Sequence, residues 1–351
     1  MVTAVVVNWN GKHYLEQCLR SILDQVPPPA EVILADNHST DGSAEFVAER
    51  FPSVRVIDTG ENLGPGRARN VGVEHATSER VLLVDNDVVM RPGALASMTA
   101  AFDAQPDAGL VSARSLCHDD ADVVHYDGAD QHYLGLLVLR NFYRPLAEAA
   151  APSGSLGAAA ALCVMVDRAR YLEVGGFHEE LFFYFEDTEF SWRLRLAGFE
   201  LWLAPDAHVL HRGGTAGLSL RSGAPMPAAR TYYHSRNRWA VLLTCLHWRS
   251  LLVLMPAQLL YACVHLMFAV ANGHGLAWIR GKLALVPLLP TILRWRSAAQ
   301  RGRRARDRDL LVAAPLSLNP GIADVGMKAA LRRALDSCYA FHWSLTRWLC
   351  G

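Results

Sequence analysis

The stretch Val81-Leu82-Leu83-Val84-Asp85-Asn86-Asp87 decides how this chain is read. A short apolar run reads as a buried strand, and two carboxylates one residue apart stand at its end. In a parallel sheet, the carboxyl ends of strands are where ligands bind. Two neighbouring carboxylates raise each other's pKa unless a positive charge intervenes. Mg²⁺ or Mn²⁺ prefers such oxygen ligands and shares them with substrate phosphates. The pair therefore reads as the seat of a divalent cation that holds a diphosphate.

Working outward, the first hundred residues alternate strand and helix signals. Strand-like runs at 2–7, 32–35, 54–57 and 81–84 are separated by helical patterns at 13–25, 42–51 and 65–75, with another at 92–102. In the first helix the apolar residues Leu15, Cys18, Leu19, Ile22 and Leu23 recur at helical spacing. Such alternation implies a mostly parallel sheet with helices on both faces. Further strands are expected near Val111 and Val164, and a helix over 186–197.

Each strand ends in a polar motif, so the four motifs share one rim. They are Asn8-Trp9-Asn10-Gly11, the run from Asp36 to Gly42, the run from Asn62 to Asn70, and Asp85-Asn86-Asp87. Asp36 reads either as an acceptor for a base N–H or a ribose hydroxyl, or as a turn residue. The glycines of the third run, with Arg67 and Arg69 at a helix start, suit an anion or an ordinary glycine turn. Glu186-Asp187-Thr188-Glu189 follows Phe182-Phe183-Tyr184-Phe185. It reads as a buried general base or as acids favoured at a helix start, with Glu189 and Arg193 able to pair. His211 is open to a metal, a phosphate or a structural role.

Taken together, these residues resemble the inverting glycosyltransferases of family 2, which have the GT-A fold. The resemblance runs from about Val2 to Gly214 and includes E-N-L-G-x-G-x-A-R-N-V-G and G-G-F-x-E-x-L-F-F-Y-F-E-D-T-E-F-S-W-R. Within the family it looks most like the rhamnosyltransferase-type enzymes of bacterial surface polysaccharides. The resemblance implies that Asp36 holds the nucleotide and that Asp85 and Asp87 contact the ribose and the metal-bound diphosphate. Asn8, Asn10, Asn62, Gly64, Arg69, Asn70 and Asn86 are expected to line the donor. His211 would help hold the metal or the diphosphate, and Asp187 would be the catalytic base. Glu186, Trp192 and Arg193 are expected in the acceptor region. His178, Glu189 and Arg67 depart from the family pattern. The implied donor is a nucleotide sugar, with TDP-rhamnose leading and UDP- or GDP-sugars as alternatives. The implied acceptor is a glycan or a polyprenyl-linked lipid.

The 351 residues suffice for one large domain or two, expected here as 1–220 and 221–351. The 34 basic and 34 acidic residues cancel, so no whole-molecule attraction to nucleic acid is implied. Seven dispersed cysteines form no C-x-x-C pair, which argues against a zinc or redox site. The N-terminus reads as a strand rather than a signal peptide, so a cytoplasmic catalytic half is expected. No G-x-G-x-x-G follows the first strand, against a dehydrogenase, and no glycine-rich basic loop does, against a nucleotidyltransferase. A catalytically inactive scaffold is disfavoured by the intact acids.

From Leu251 to Ala271 the chain carries no formal charge over a length that suits a bilayer crossing, about 20 residues. A second apolar run, Leu283 to Leu293, contains Pro287 and Pro290 and is too short to span alone. The arginines of 294–308 follow it. A basic run and a catalytic half on one side of the membrane imply a re-entrant or interfacial hairpin turning near Gly273 and Gly275. Lipid headgroups would then meet the arginines at the cytoplasmic face. A buried subdomain or a homodimer interface is the alternative.

Overall fold

The computed structural model describes residues 1–150, 154–213, 227–317 and 326–351. The chain forms two compact units that interleave in sequence. The first comprises Met1–Gly128, Arg140–Leu194 and Phe199–Gly214, and the second comprises Ala129–Leu139, Arg195–Gly198 and Thr215–Gly351. The boundary expected at 220/221 lies outside the described residues.

The first unit opens with the expected alternation: β1 (Val2–Asn8), α1 (Lys12–Leu23), β2 (Glu31–Asp36), α2 (Ser43–Arg50), β3 (Val54–Asp58), α3 (Pro65–His75) and β4 (Arg80–Asp85). It continues through β5 (Val88–Met90), α4 (Ala94–Asp103), β6 (Ala108–Cys117) and β7 (Val124–Tyr126). The second unit takes β8 (Ala129–His132) and β9 (Leu136–Leu139). The first resumes with β10 (Cys163–Asp167), α5 (Arg168–Glu173), α6 (Glu186–Leu196, which ends in the second unit) and β11 (Glu200–His211).

Strands β3, β2, β1 and β4 are mutually parallel, as the crossover helices require. Beyond them the sheet is mixed. Strand β10 lies antiparallel between β4 and β6, and β11 runs parallel to β6. Val5, Ile33, Leu83 and Val164 are fully buried in one core with Phe177, Phe190 and Leu194. Each such side chain contributes about 1.5–3 kcal/mol by leaving water. Within the sheet, Arg114 of β6 donates from Nε and Nη2 to both oxygens of Asp127, at 2.9 and 2.7 Å. Asn141 Nδ2 donates to the same carboxylate. Removing one partner of a buried pair costs about 3–5 kcal/mol, so this clamp fixes the chain leaving β7.

The second unit is mainly helical: α7 (Ala228–Cys245), α8 (Trp248–Ala271), α9 (Gly275–Arg301), α10 (Asp307–Leu310), β12 (Leu311–Val312) and α11 (Gly326–Thr346). Strand β12 pairs with β8, which pairs with β9. Helices α8 and α9 are joined by Asn272–His274, so the hairpin turns where its glycines suggested. Both are long and apolar enough to cross a membrane by length and composition. Leu252, Met267, Leu276, Leu283, Val286 and Leu293 are all at least 60% exposed, so an apolar surface stands uncovered.

Two expectations are corrected in this unit. The run around Leu283–Leu293 is not a short isolated segment, because α9 continues for 27 residues with Pro287 and Pro290 inside it. The arginines of 294–308 are not one lipid-facing patch either. Arg296 Nη1 donates to the carbonyls of Leu243 and Leu246, and Arg303 Nη2 donates to Asp307. Arg294, Arg301, Arg304 and Arg306 remain exposed.

Candidate active site

The strand register sets Asn8 beside Asp36, Asp36 beside Asp58, and Val7 beside Asp85, so the polar motifs do share a rim. Asn8 ties them together. Its Nδ2 donates to Asp36 Oδ1 at 2.6 Å, and its Oδ1 accepts from Asn86 Nδ2 at 2.6 Å. A Cβ on Gly11 would sit 1.9 Å from Asn86 Nδ2, which explains a glycine after the Asn-Trp-Asn run. Asp36 is 2% exposed and also accepts from Ser39 N and Oγ, at 2.8 and 2.7 Å. Asn10 Oδ1 accepts from Thr40 N, and Asn62 Oδ1 accepts from Gly64 N. The observed bonds of these residues tie the rim loops to one another and, at Asn62, fold a loop on itself.

Arg69, on the buried side of α3, is the hub. Its Nη2 donates to Asp85 Oδ1 at 2.7 Å, its Nη1 lies 3.8 Å from Glu186 Oε1, and its guanidinium sits 5.2 Å from the Phe177 ring centre. Burial works against its charge, but Asp85 and then Glu186 outweigh burial and raise its pKa. Its Nε and Nη1 are buried without a hydrogen-bond partner. Buried donors in that state await an acceptor.

The acids at the start of α6 are presented by a strained segment. Phe182, Tyr184 and Phe185 all adopt positive φ, at 62, 70 and 79°, which is costly for bulky side chains. The Phe182 carbonyl presses on Gly64, where φ is 89° and a Cβ would come within 2.2 Å of that oxygen. The glycine loop and the acidic helix are thus fitted to each other. Glu186 is buried, while Asp187 is partly buried and accepts from Thr188 N at 2.6 Å. Burial raises Glu186 first, and Asp187 adds to it against Arg69. Burial also raises Asp187, against Arg69 and the Thr188 hydrogen bonds.

Asp85 and Asp87 diverge. Asp85 faces Arg69, and its pKa is raised by burial and by Asp87 against the pull of Arg69 and His211. Asp87 Oδ2 lies 3.4 Å from His211 Nε2. Burial disfavours the charged imidazole of His211, but the hydrogen bond and charge of Asp87 raise it overall. His211 Nδ1 in turn lies 3.2 Å from Nδ1 of His125 on β7. Among the described residues no group of three or more His, Cys, Asp or Glu side chains can hold a metal alone. The donor set of Asp87 and His211, beside the unpartnered nitrogens of Arg69, suits a cation that arrives with a diphosphate and takes its remaining ligands from it.

The Glycosyl transferase family 2 profile matches residues 3–149. An N-acetylglucosaminyl-diphospho-decaprenol L-rhamnosyltransferase of Mycobacterium tuberculosis is 31% identical over 237 residues, covering 60% of this chain and 76% of that protein. This chain belongs to glycosyl transferase family 2. The fold agrees. A mannosyltransferase from Pyrobaculum calidifontis, solved with GDP-Man and Mn²⁺, superposes with a TM-score of 0.51 at 20% identity, over 99% of this chain and 86% of that one. GalNAc-T7, solved with UDP, GalNAc and Mn²⁺, gives 0.54 at 16% identity, over 70% of this chain and 48% of that one.

Set against this glycosyltransferase family, several expected site residues have other work. Asn70, expected beside the donor, uses its whole amide as a staple. Its Nδ2 donates to Phe177 O and Glu179 Oε1, and its Oδ1 accepts from Tyr171 Oη and Phe177 N. No hydrogen-bonding capacity is left for a ligand. Trp192 and Arg193, expected in the acceptor region, are 1% and 4% exposed. The Arg193 guanidinium is engaged by both oxygens of Glu189 and by the carbonyls of Val174 and Gly176. These two support α6 from behind, and Glu186 and Asp187 remain on its site side. Arg67 pairs with Glu179 at 3.1 Å. Two residues went unnoticed in sequence. His125 adjoins His211, and the buried Tyr126 has its phenol pKa raised by burial and then by Asp187 and Asp85. The Val124-His125-Tyr126 alternation was the available signal, but nothing local ties it to residues 187 or 211.

The raised acids give a testable pH dependence. A carboxylate accepts a proton only when ionised, and a raised pKa moves that requirement to higher pH. Activity that depends on this pair therefore falls, on acidification, at a pH above the ordinary aspartate value of about 3.9. Asp187→Asn removes the negative neighbour that helps raise Glu186, so the Glu186 carboxyl, followed by carbon-13 NMR, should titrate at lower pH in the variant than in the wild type. An unmoved Glu186 titration would show that the two acids are not coupled.

Proposed function

We propose that the chain is an inverting, metal-dependent transferase. It moves a sugar from a nucleotide sugar, with TDP-rhamnose as the leading donor, to a hydroxyl of a lipid-linked or glycan acceptor in cell-surface polysaccharide synthesis. The observation that carries this reading is the placement of Arg69 between the Asp85–Asp87 strand end and Glu186–Asp187. The rhamnosyl specificity is supported by the relative at 31% identity, whose name specifies a diphospho-decaprenol acceptor.

Asp87 and His211 would hold Mg²⁺ or Mn²⁺ together with the donor diphosphate, with Asp85 beside them. When bound, that ion neutralises charge gathering on the leaving diphosphate. Arg69 adds a fixed positive charge on the same side, preorganised by burial. Asp187, the more exposed acid at the start of α6, takes the proton of the acceptor hydroxyl. The acceptor oxygen bonds to the anomeric carbon as the bond to the phosphate oxygen breaks. The nucleoside diphosphate leaves with the electron pair, and one displacement inverts the centre. Asn8, Asn10, Asp36, Asn62, Gly64 and Asn86 shape the donor end of the rim.

The exposed apolar faces of α8 and α9 support seating on a membrane. An interfacial position at the cytoplasmic face suits both a soluble donor and a lipid-borne acceptor. Exposed Arg294, Arg301 and Arg306 suit anionic headgroups there.

Three measurements test this reading. Donor hydrolysis and transfer across a panel of sugar nucleotides should favour TDP-rhamnose, stop with a chelator and return with Mn²⁺ or Mg²⁺. Full activity under chelation would sink the metal assignment, and preference for a UDP- or GDP-sugar would replace the donor. Asp187→Asn should keep donor binding and lose about 10²-fold or more in turnover. Near-normal turnover would remove Asp187 as the base. Detergent-free fractionation should recover the protein with membranes, whereas a fully soluble protein would favour a buried subdomain or a dimer interface.

A further inference from the structure

His125 stands at the second step of a chain of contacts that begins at the strand-end acids. Asp87 Oδ2 lies 3.4 Å from His211 Nε2, and His211 Nδ1 lies 3.2 Å from His125 Nδ1. Two facing ring nitrogens share one proton, so one donates and the other accepts. If the proton belongs to His125, His211 must carry its own proton on Nε2, where no lone pair is left for a cation. If it belongs to His211, Nε2 either carries a second proton that it donates to Asp87 or, when a cation sits between the two, turns its lone pair to that ion.

The surroundings of His125 fix its ring. Tyr126, Tyr143 and Phe142 pack around it, with ring centres 4.9, 5.5 and 6.3 Å away. Its strand is paired to β6 through Ser115 and Tyr126, and Asp127, two residues on, is clamped by Arg114. A metal-binding histidine commonly gives its second ring N–H to an outer acceptor, which sets tautomer and orientation.

We propose that His125 is a positioning residue. Its Nδ1 accepts the His211 Nδ1–H and holds His211 in the tautomer that turns the Nε2 lone pair toward the cation shared with Asp87. This rests on the metal-diphosphate reading above, and the test separates the two. Mn²⁺ binding to the full chain is measured by electron paramagnetic resonance in the presence of nucleoside diphosphate, with no turnover. His125→Asn places an amide oxygen near the position of Nδ1. His125→Gln reaches instead toward the position of Nε2, and His125→Phe keeps only the ring packing. The Asn variant should bind Mn²⁺ within about threefold of wild type, while the Gln and Phe variants weaken it by about 10–100-fold. Should the Phe variant fail to fold, the Asn–Gln contrast decides alone. Equal binding by all folded variants, or equal loss in Asn and Gln, overturns the proposal. A wild-type chain that binds no Mn²⁺ with the nucleotide overturns the metal reading itself.

Discussion

The charge of Arg69 is the constraint on which the site depends. Asp85, Asp87, Glu186 and Asp187 come together from two distant stretches of chain, and four carboxylates in a partly buried place repel one another. A guanidinium that is 3% exposed, bonded to Asp85 and within 4 Å of Glu186, lowers that repulsion. Lysine would not substitute, because one ammonium cannot face both acids and pack against Phe177 in a single plane. The compensation is partial: burial still leaves Asp85, Glu186 and Asp187 raised. Asp87 in turn lies 3.4 Å from His211, whose pKa its hydrogen bond and charge raise against burial.

The two clearest departures from the family pattern explain each other. The family pattern expects aspartates where His178 and Glu189 stand, and here His178 Nδ1 lies 3.0 Å from Glu189 Oε1. Glu189 also takes the bidentate grip of Arg193, which holds its pKa down at about 2 despite burial. The longer acid reaches both partners from one turn of α6. His178, Glu189 and Arg193 thus form one buried cluster behind the site.

What was legible in the sequence was whatever local period and strand ends encode. The parallel strands, the shared rim, the helix of 186–197 and the hairpin turn near Gly273 all follow from residues close in sequence. The placement of β10 between β4 and β6 does not, because antiparallel insertion leaves no mark on a short apolar strand. The same reason hid His125, whose ring-nitrogen partner lies 86 positions away. Asn70, Trp192 and Arg193 misled in the opposite sense. Each lies within a motif that carries site residues, yet a motif is also selected for holding its own loop in shape. Burial and hydrogen-bonding capacity separate the two roles, and neither can be read from residue type alone.

The strain before α6 links these observations. Three aromatic residues in unfavourable backbone conformations persist only where neighbours over-determine them. Here the neighbours are Gly64, whose missing Cβ admits the Phe182 carbonyl, and Asn70, whose amide grips Phe177 and Glu179. Both lie on the loop and helix that carry Arg69. The glycine loop, the staple and the guanidinium are therefore one device, setting the height and angle at which Glu186 and Asp187 leave the aromatic turn. A change that relaxed Gly64 or Asn70 would move the acids relative to Arg69 without touching any of them, and the charge balance of the site would shift with that displacement.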